Sequence, residues 1–271
     1  MEQSSAQVVS ANPDSSRRLI AVLACRAEGS RLYGKPLQNL DPAKGVTILD
    51  QIISSVKRKT CISSIVLAVS EGLANEPFHG VAHKHAIGSI HGDPQDVLQR
   101  LIQGCRAEEG TDVFRVTTES PYMYHEGVEE AWARHVEHGN DVTAVDGLPE
   151  GAHFEIYTLR ALEKSHKLGD SRHRSELCSL YIREHRSDFK VEAIPVPKDV
   201  CRPELRLTVD YPEDLALCRS AYLALKQQAP LIPVAEIIRF LDANPKVRAL
   251  AEPYAKPEWL WLTKEELVPC P

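Results

Sequence analysis

Paired cysteines are missing from this 271-residue sequence. Its seven cysteines are odd in number and widely spaced, and no two of them form a Cys-x-x-Cys pair. This usage favours reduced thiols in a cytosolic protein over a disulfide framework or a zinc ribbon. We therefore expect a cytoplasmic location.

Long apolar runs and an excess of basic residues are missing as well. No run approaches the ~18 apolar residues that a membrane helix needs, and the Ser-rich residues 1–18 lack the apolar stretch of a signal peptide. Lys and Arg total 32 against 38 Asp and Glu, so the formal net charge is −6. That balance argues against a surface that coats nucleic acid or anionic lipid. We expect residues 1–18 to be a disordered leader, and neither nucleic acid nor a membrane to be a partner.

What is present is a globular composition, 43% hydrophobic and 26% charged, in which strand and helix patterns alternate. Short continuous apolar runs predict strands buried on both faces, and apolar stripes at helical spacing predict helices between them. Strands are predicted at 19–24, 65–69, 86–90, 112–117, 141–145, 154–157, 190–194 and 205–209. Helices are predicted at 46–56, 94–107, 128–136, 157–166, 175–184, 211–225, 234–241 and 246–251. This order implies an α/β fold, a three-layer α/β/α sandwich with a mostly parallel central sheet.

The segment that follows the first predicted strand is the most informative. It carries three cations, Arg26, Arg31 and Lys35, among glycines that allow close backbone approach. It also leaves the sheet at its carboxyl edge, where open α/β sheets bind ligands. Fixed charges and backbone N–H groups in such a loop suit a polyphosphate. The segment matches neither of the common glycine-rich phosphate motifs, so a solvated basic turn stays open on spacing alone.

Four motifs in order extend this observation: Arg26-(x)4-Arg31-Leu-x-Gly-Lys35, Gly92–Arg100, Arg115–Pro121 and Leu207–Leu215. Together with a closing pattern at 238–245, they cover about residues 19–250. In these motifs the sequence resembles the sugar-acid cytidylyltransferases, including the spore-coat polysaccharide biosynthesis protein F branch and the synthetases of CMP-3-deoxy-manno-octulosonate.

The resemblance implies a GT-A-like nucleotidyltransferase in which a sugar hydroxyl attacks the α-phosphorus of CTP and expels pyrophosphate. It also implies an Mg²⁺ cofactor, an anionic small-molecule acceptor and a homodimer. The nucleotidyltransferase domain is expected at 19–225, with a small inserted acceptor, dimerisation or lid segment at about 151–203. Residues 226–271 are expected to form a C-terminal helical extension.

The residues at the family's motif positions are the candidate site residues. The catalytic candidates are Arg26, Lys35 and Asp210. The nucleotide-binding candidates are Ala24, Arg26, Ser30, Arg31, Lys35, Ser70, Glu71, Asp96, Val97 and Arg100. The metal-ligand candidates are Glu119 and Asp210, and the acceptor-binding candidates are Glu155, Arg174 and Glu176.

Two departures from the family pattern leave alternatives open. Glu119 stands where relatives have aspartate, and Arg174-Ser-Glu176-Leu replaces an Arg-Glu-His on the acceptor side. The alternatives are a nucleotidyltransferase for a phosphonate or other non-sugar acceptor, and a non-catalytic nucleotide-binding protein of the same fold. Retention of the loop cations and of Asp210 favours the enzyme.

Overall fold

The computed structural model describes residues 16–29, 31–255 and 261. Its strands are β1 (Leu19–Cys25), β2 (Asn39–Asp41), β3 (Val46–Thr47), β4 (Ile62–Ser70), β5 (Gly88–Gly92), β6 (Asp112–Arg115), β7 (Val142–Val145), β8 (Glu155–Thr158) and β9 (Val191–Ile194). Its helices are α1 (Ile48–Val56), α2 (Pro77–Lys84), α3 (Val97–Ala107), α4 (Val128–Glu137), α5 (Leu159–Leu168), α6 (Leu180–Glu184), α7 (Pro212–Leu225), α8 (Val234–Ala243) and α9 (Pro245–Arg248).

A seven-stranded sheet of order β5-β4-β1-β6-β8-β7-β9 forms the middle layer. Its pairings are parallel except for the two made by β8, which runs antiparallel to β6 and β7. The mostly parallel α/β/α sandwich predicted from the sequence is therefore confirmed. The reversal of β8 matters for the site, because it brings the first residue of β8 to the edge where β6 and β7 end.

Strand β1 shows why its apolar run is continuous. Leu19, Ala21 and Leu23 belong to one apolar cluster, whereas Ile20 and Val22 belong to a second. Because successive side chains of a strand point to opposite faces, both faces of β1 are covered and every position is apolar. The cationic loop therefore begins directly after a strand that is packed on both faces.

The sequence prediction places one strand wrongly, and it misses the β2–β3 pair and helix α2. The strand predicted at 205–209 is wrong: in the described chain this segment makes only an isolated bridge between Glu150 and Arg206. Its backbone N–H groups bond to separate loops, Leu207 to Glu150 and Val209 to Glu119, so no ladder forms. Helix α2 was missed, because the only positions it buries are Phe78 and Ala82, too few for a clear apolar stripe.

The expectation of reduced thiols is confirmed for five of the cysteines. Cys25, Cys61, Cys105, Cys178 and Cys218 are free. Cys201, however, is disulfide-bonded, so the expectation of reduced thiols is wrong at that position.

Some expectations fall outside the residues that the structure describes. These are residues 1–15 of the predicted leader and residues 256–260 and 262–271 of the predicted extension. Within the described ranges, no helix has the length and apolar character needed to cross a bilayer.

Helix α1 begins with a capping box that contains a strongly stabilised carboxylate. The Asp50 carboxylate accepts hydrogen bonds from the Thr47 backbone N–H at 3.0 Å, from Lys84 Nζ at 2.8 Å and from His85 Nε2 at 2.6 Å. Burial alone would raise the pKa of Asp50, but these donors outweigh it and lower the pKa to about 2. The ionised carboxylate therefore ties the start of α1 to the end of α2.

We expect Asp50→Asn to lower the free energy of unfolding by about 2 kcal/mol at neutral pH, because the pKa difference between the folded and unfolded chain is lost. A depressed folded-state pKa stabilises the fold above the unfolded value near 4, and the contribution fades as the pH falls toward 2. Urea denaturation between pH 3 and pH 7 measures this. The difference from wild type should narrow at low pH, whereas the exposed-site control Asp188→Asn should differ little throughout. A pH-independent difference would contradict the assignment.

Candidate active site

A cleft of about 460 Å³ lies at the edge of the sheet where β1, β6 and β7 end and β8 begins. Parallel strands place their carboxyl ends at one edge, and the antiparallel β8 pairs its first residue, Glu155, with the last residue of β6, Arg115. The predicted site residues that line the cleft are Ala24, Arg26, Arg31, Lys35, Val97, Arg100, Glu119, Glu155, Glu176 and Asp210. The topology therefore brings together residues from four sequence motifs.

The cationic loop is held in shape by its own backbone. Gly34 has a left-handed φ of 58° and its N–H bonds to the Ala27 carbonyl at 2.8 Å. The Ala27 N–H in turn bonds to the Asn75 side chain at 2.7 Å. A Cβ on Gly29 would lie 2.6 Å from the Leu32 carbonyl oxygen, so a side chain there would displace the loop. The predicted site residue Ser30 lies outside the described residues.

Asp210 is the point at which the cations meet. Its Oδ1 lies 2.6 Å from Lys35 Nζ and 3.1 Å from an Arg31 guanidinium nitrogen, and its Oδ2 lies 2.6 Å from Arg206. Burial by itself raises the pKa of Asp210, but the Lys35 ammonium, followed by Arg206 and Arg31, holds that pKa below its ordinary value. The carboxylate is therefore ionised and already surrounded by positive charge.

Helix α7 fixes the position of Asp210. The Asp214 carboxylate accepts hydrogen bonds from the backbone N–H groups of Asp210 and Tyr211, at 2.9 and 3.0 Å. Carboxylates are favoured at this end of a helix because the first backbone N–H groups have no partner within the helix. Asp214 thus acts in the cap of α7, from the first helical turn after Pro212.

Arg206 is one of the residues that sequence reasoning missed. Its side chain is 3% exposed and contacts Glu150, Asp210 and Asp214. Although burial lowers the pKa of an arginine, Asp214 and Glu150 hold the pKa of Arg206 above its ordinary value. Its sequence signal is the spacing of Arg206, Asp210 and Asp214, four residues apart each time. A buried charge with three carboxylate partners positions them rather than binding substrate.

The second metal-ligand candidate, Glu119, lies in the same cleft. Its backbone carbonyl accepts the Val209 N–H at 3.0 Å, so its loop is tied to the residue just before Asp210. No hydrogen bond or ion pair joins its carboxylate to another residue of the described chain. Glu119 therefore lines the cleft from a loop that is tied to the residue before Asp210.

Other loop and helix cations are engaged elsewhere. Arg26 forms an ion pair with Glu176, across the cleft from its own loop. Arg100 is 1% exposed and donates to the backbone carbonyls of Cys25 and Ala68, at 3.1 and 2.9 Å. These bonds join the ends of β1 and β4, so Arg100 braces the sheet edge beneath the cleft.

A second cluster of charges in the cleft is built around Glu155. Its Oε2 lies 2.5 Å from Arg115, and its Oε1 accepts a hydrogen bond from the Trp261 indole at 2.8 Å. Burial raises the pKa of Glu155, but the charges of Arg115 and Arg183 outweigh burial and lower it. Arg115 also donates to the Glu176 carbonyl at 3.1 Å, which ties the two predicted acceptor residues to β6.

Four predicted site residues do not line the cleft: Ser70, Glu71, Asp96 and Arg174. Asp96 caps α3 by accepting the Gln99 N–H at 2.8 Å and also pairs with His166 at 2.8 Å. Arg174 donates to the His166 carbonyl at 3.3 Å, so it packs with Asp96 beside α3. Their positions are explained by capping and packing, which spacing alone did not distinguish from ligand binding.

No protein-family model matches the chain. By sequence it is similar to the spore coat polysaccharide biosynthesis protein SpsF of Bacillus subtilis, 24% identical over 234 residues that cover 84% of this chain and 95% of that protein. It is also similar to an uncharacterized protein of Methanocaldococcus jannaschii, 25% identical over 233 residues, 85% of this chain and 93% of the relative.

Solved structures with a similar fold include two cytidylyl-transferring enzymes. A cytidylyltransferase from Leptospira borgpetersenii has a TM-score of 0.77 at 19% identity and covers 86% of this chain and 97% of its own. A CMP:2-keto-3-deoxy-manno-octonic acid synthetase complexed with CTP has a TM-score of 0.59 at 13% identity, with 77% and 99% covered. A Mycobacterium tuberculosis protein in complex with manganese has a TM-score of 0.53 at 11% identity, with 75% and 98% covered. The resemblance predicted from the motifs is thereby confirmed: the chain is similar in sequence to SpsF and in fold to solved cytidylyltransferases.

Proposed function

We propose that the protein transfers CMP from CTP to an anionic small-molecule acceptor, a sugar acid in the first instance, with release of pyrophosphate and with Mg²⁺ as cofactor. The observation that carries this proposal is the convergence of Arg31 and Lys35 on Asp210 within one cleft. The similar synthetase complexed with CTP supports the choice of nucleotide.

The cations of the loop are proposed to exchange partners when CTP binds. Without nucleotide, Lys35 and Arg31 pair with Asp210, and Arg26 pairs with Glu176. A triphosphate offers these groups more negative charge and more acceptor oxygens than a single carboxylate does. Transfer of the cations to the phosphates would release carboxylate oxygens of Asp210 into the cleft.

The residues present fit a hard divalent cation. Mg²⁺ prefers oxygen ligands and is usually held by one or two carboxylates together with substrate phosphates. Asp210 is ionised, and Glu119 offers a second carboxylate on the same cleft. A related fold has been solved with manganese, which has similar ligand preferences. When bound, the metal would neutralise phosphate charge.

The reaction then requires positioning rather than covalent participation by the protein. An acceptor oxygen forms a bond to the α-phosphorus of CTP, and where that oxygen is a hydroxyl its proton passes to solvent. The bond from the phosphorus to the bridging oxygen breaks, and pyrophosphate leaves with its charge. Lys35 and Arg31 are proposed to stabilise the charge that develops on the departing phosphates. Arg206 keeps Asp210 in place while its other partners move.

Residues 151–203 are proposed to serve the acceptor and to form a homodimer interface. The cleft-lining residues of this segment include Glu155, Glu176 and Arg183, which supports the acceptor role. We also propose a cytoplasmic location, which the spacing of the cysteines in the sequence favours. Light scattering of the purified chain tests the homodimer.

We expect CTP with Mg²⁺ to raise the melting temperature more than ATP or GTP does. A ligand at 100 times its Kd adds about 2.7 kcal/mol, which moves the melting temperature of a chain of this size by about 5–10 °C. Differential scanning calorimetry with each nucleotide measures this. A larger shift with ATP or GTP would show that the cytidine assignment is wrong.

Asp210→Asn should lower kcat for pyrophosphate release by about 100-fold or more, because an amide cannot supply the negative charge that a metal and the loop cations require. Asp242→Asn is the matched control, since Asp242 is also paired with an arginine, Arg202, but outside the cleft. Steady-state assays with CTP and a panel of keto-deoxy sugar acids, phosphonates and sugar phosphates make the comparison. Retained turnover in Asp210→Asn would remove this carboxylate from the reaction.

Glu119→Asp introduces the aspartate that relatives carry, with a side chain one methylene shorter, and is expected to keep or raise turnover if Glu119 is a metal ligand. Glu119→Gln should lower turnover and raise the Mg²⁺ concentration needed for half-maximal rate. The metal dependence of both variants provides the measurement. An unchanged metal dependence in Glu119→Gln would place Glu119 outside the metal site.

A further inference from the structure

The acceptor end of the cleft contains a tryptophan from near the C-terminal end of the sequence. Trp261 lines the cleft beside Glu155 and Arg183, and its residue surface is only 7% exposed. Neither the motifs nor the resemblance assigns this residue a role. A side chain this large, this deeply buried and in the cleft itself helps to define the space that remains for a substrate.

Trp261 is held by contacts with separate parts of the chain. Its indole Nε1–H donates to Glu155 at 2.8 Å, and its backbone N–H donates to Asp146 at 3.0 Å. Its carbonyl accepts a hydrogen bond from Arg186 at 2.8 Å, and the Arg183 guanidinium lies 4.0 Å from the ring centroid. Because both the backbone and the ring of Trp261 make contacts, the orientation of the indole is fixed. The Arg183 guanidinium lies over the face of the ring.

These contacts limit the ability of the Glu155 carboxylate to bind an acceptor directly. With Oε2 on Arg115 and Oε1 on Trp261, both carboxylate oxygens are already engaged by the protein. Removing one partner from a buried carboxylate is unfavourable, so a neutral acceptor hydroxyl is a poor replacement for either one. Glu155 therefore holds the indole and Arg115 in position, and the indole forms the wall of the cleft at this point.

We propose that Trp261 is a specificity-determining residue of the acceptor subsite, and that it packs its indole against the carbon skeleton of the acceptor. This inference rests on the proposed function. The indole provides a flat apolar surface, while Arg115 and Arg183 supply positive charge beside it. This combination suits an acceptor with an acidic group and a C–H-rich face, and apolar contacts of this kind discriminate substrates by about 10–200-fold.

The test uses the full chain with ¹⁵N-labelled tryptophan, saturated with CMP so that no reaction occurs. The indole N–H signal that disappears in Trp261→Phe belongs to Trp261. The probes are 3-deoxy-manno-octulosonic acid, methylphosphonate and a hexose phosphate. We expect the Trp261 signal to shift with at least one probe and to be insensitive to CMP alone, because the indole lies at the acceptor end.

Kinetics of the variants provide the second measurement. Trp261→Ala should raise the acceptor KM about 10–100-fold while the CTP KM changes less than twofold, and Trp261→Phe should have a smaller effect because it keeps an aromatic ring. Trp132→Phe is the matched control. Trp132 is also nearly buried, at 8% exposed, but it stacks on His135 and is not among the described residues that line the cleft. If Trp261→Ala does not fold, Trp261→Phe supplies the same comparison.

Three results would overturn the inference: a signal that shifts with CMP alone, a signal that shifts with no probe, or an acceptor KM unchanged in the Trp261 variants. The proposed function fails separately, if no acceptor in the panel supports pyrophosphate release. In that case the indole titration still decides whether Trp261 contacts an acidic ligand.

Discussion

The structure of the cleft depends on one ionised carboxylate, Asp210, on which Lys35, Arg31 and Arg206 converge. Lys35 and Asp210 are 175 residues apart in sequence, so their ion pair joins the loop after the central strand to the start of α7. The buried Arg206 anchors the carboxylate from behind, and the two loop cations face the cleft. The side chains that would hold phosphates therefore also hold the two halves of the site together.

Most charges in the cleft are paired within the protein before any ligand arrives. Arg26 pairs with Glu176, Arg115 with Glu155, and Lys35 with Asp210. Such pairing avoids the cost of isolated charges in a partly buried space. Under the proposed function, a nucleotide would bind by replacing protein carboxylates, so its affinity would depend on the difference between phosphate and carboxylate as partners. Exposed pairs such as Arg26–Glu176 exchange more readily than the buried Arg115–Glu155 pair does.

One of the two departures from the family pattern lies in the predicted acceptor segment. Where relatives carry Arg-Glu-His, Arg174 turns toward Asp96 and His166 beside α3, and Glu176 contacts the cationic loop. The acceptor end is instead defined by Arg115, Glu155 and Trp261. Under the proposed function, a changed acceptor chemistry would account for this rearrangement, since the loop cations and Asp210 are retained.

The sequence by itself determined the α/β class, and it identified the cationic loop and Asp210 as candidate site features. Apolar periodicity and short motifs are local properties of the sequence, so they can be read without knowing the tertiary contacts. The sequence could not distinguish Asp96 as a helix cap from Asp96 as a ligand, and it could not exclude a strand at 205–209. Both questions depend on contacts with residues that are distant in sequence. Only the tertiary structure decided that Arg206 sits beneath Asp210 and that Trp261 meets Glu155, 106 residues away. The Trp261–Glu155 pair depends on the order and direction of the strands, above all the reversal of β8, and sequence spacing does not encode that geometry.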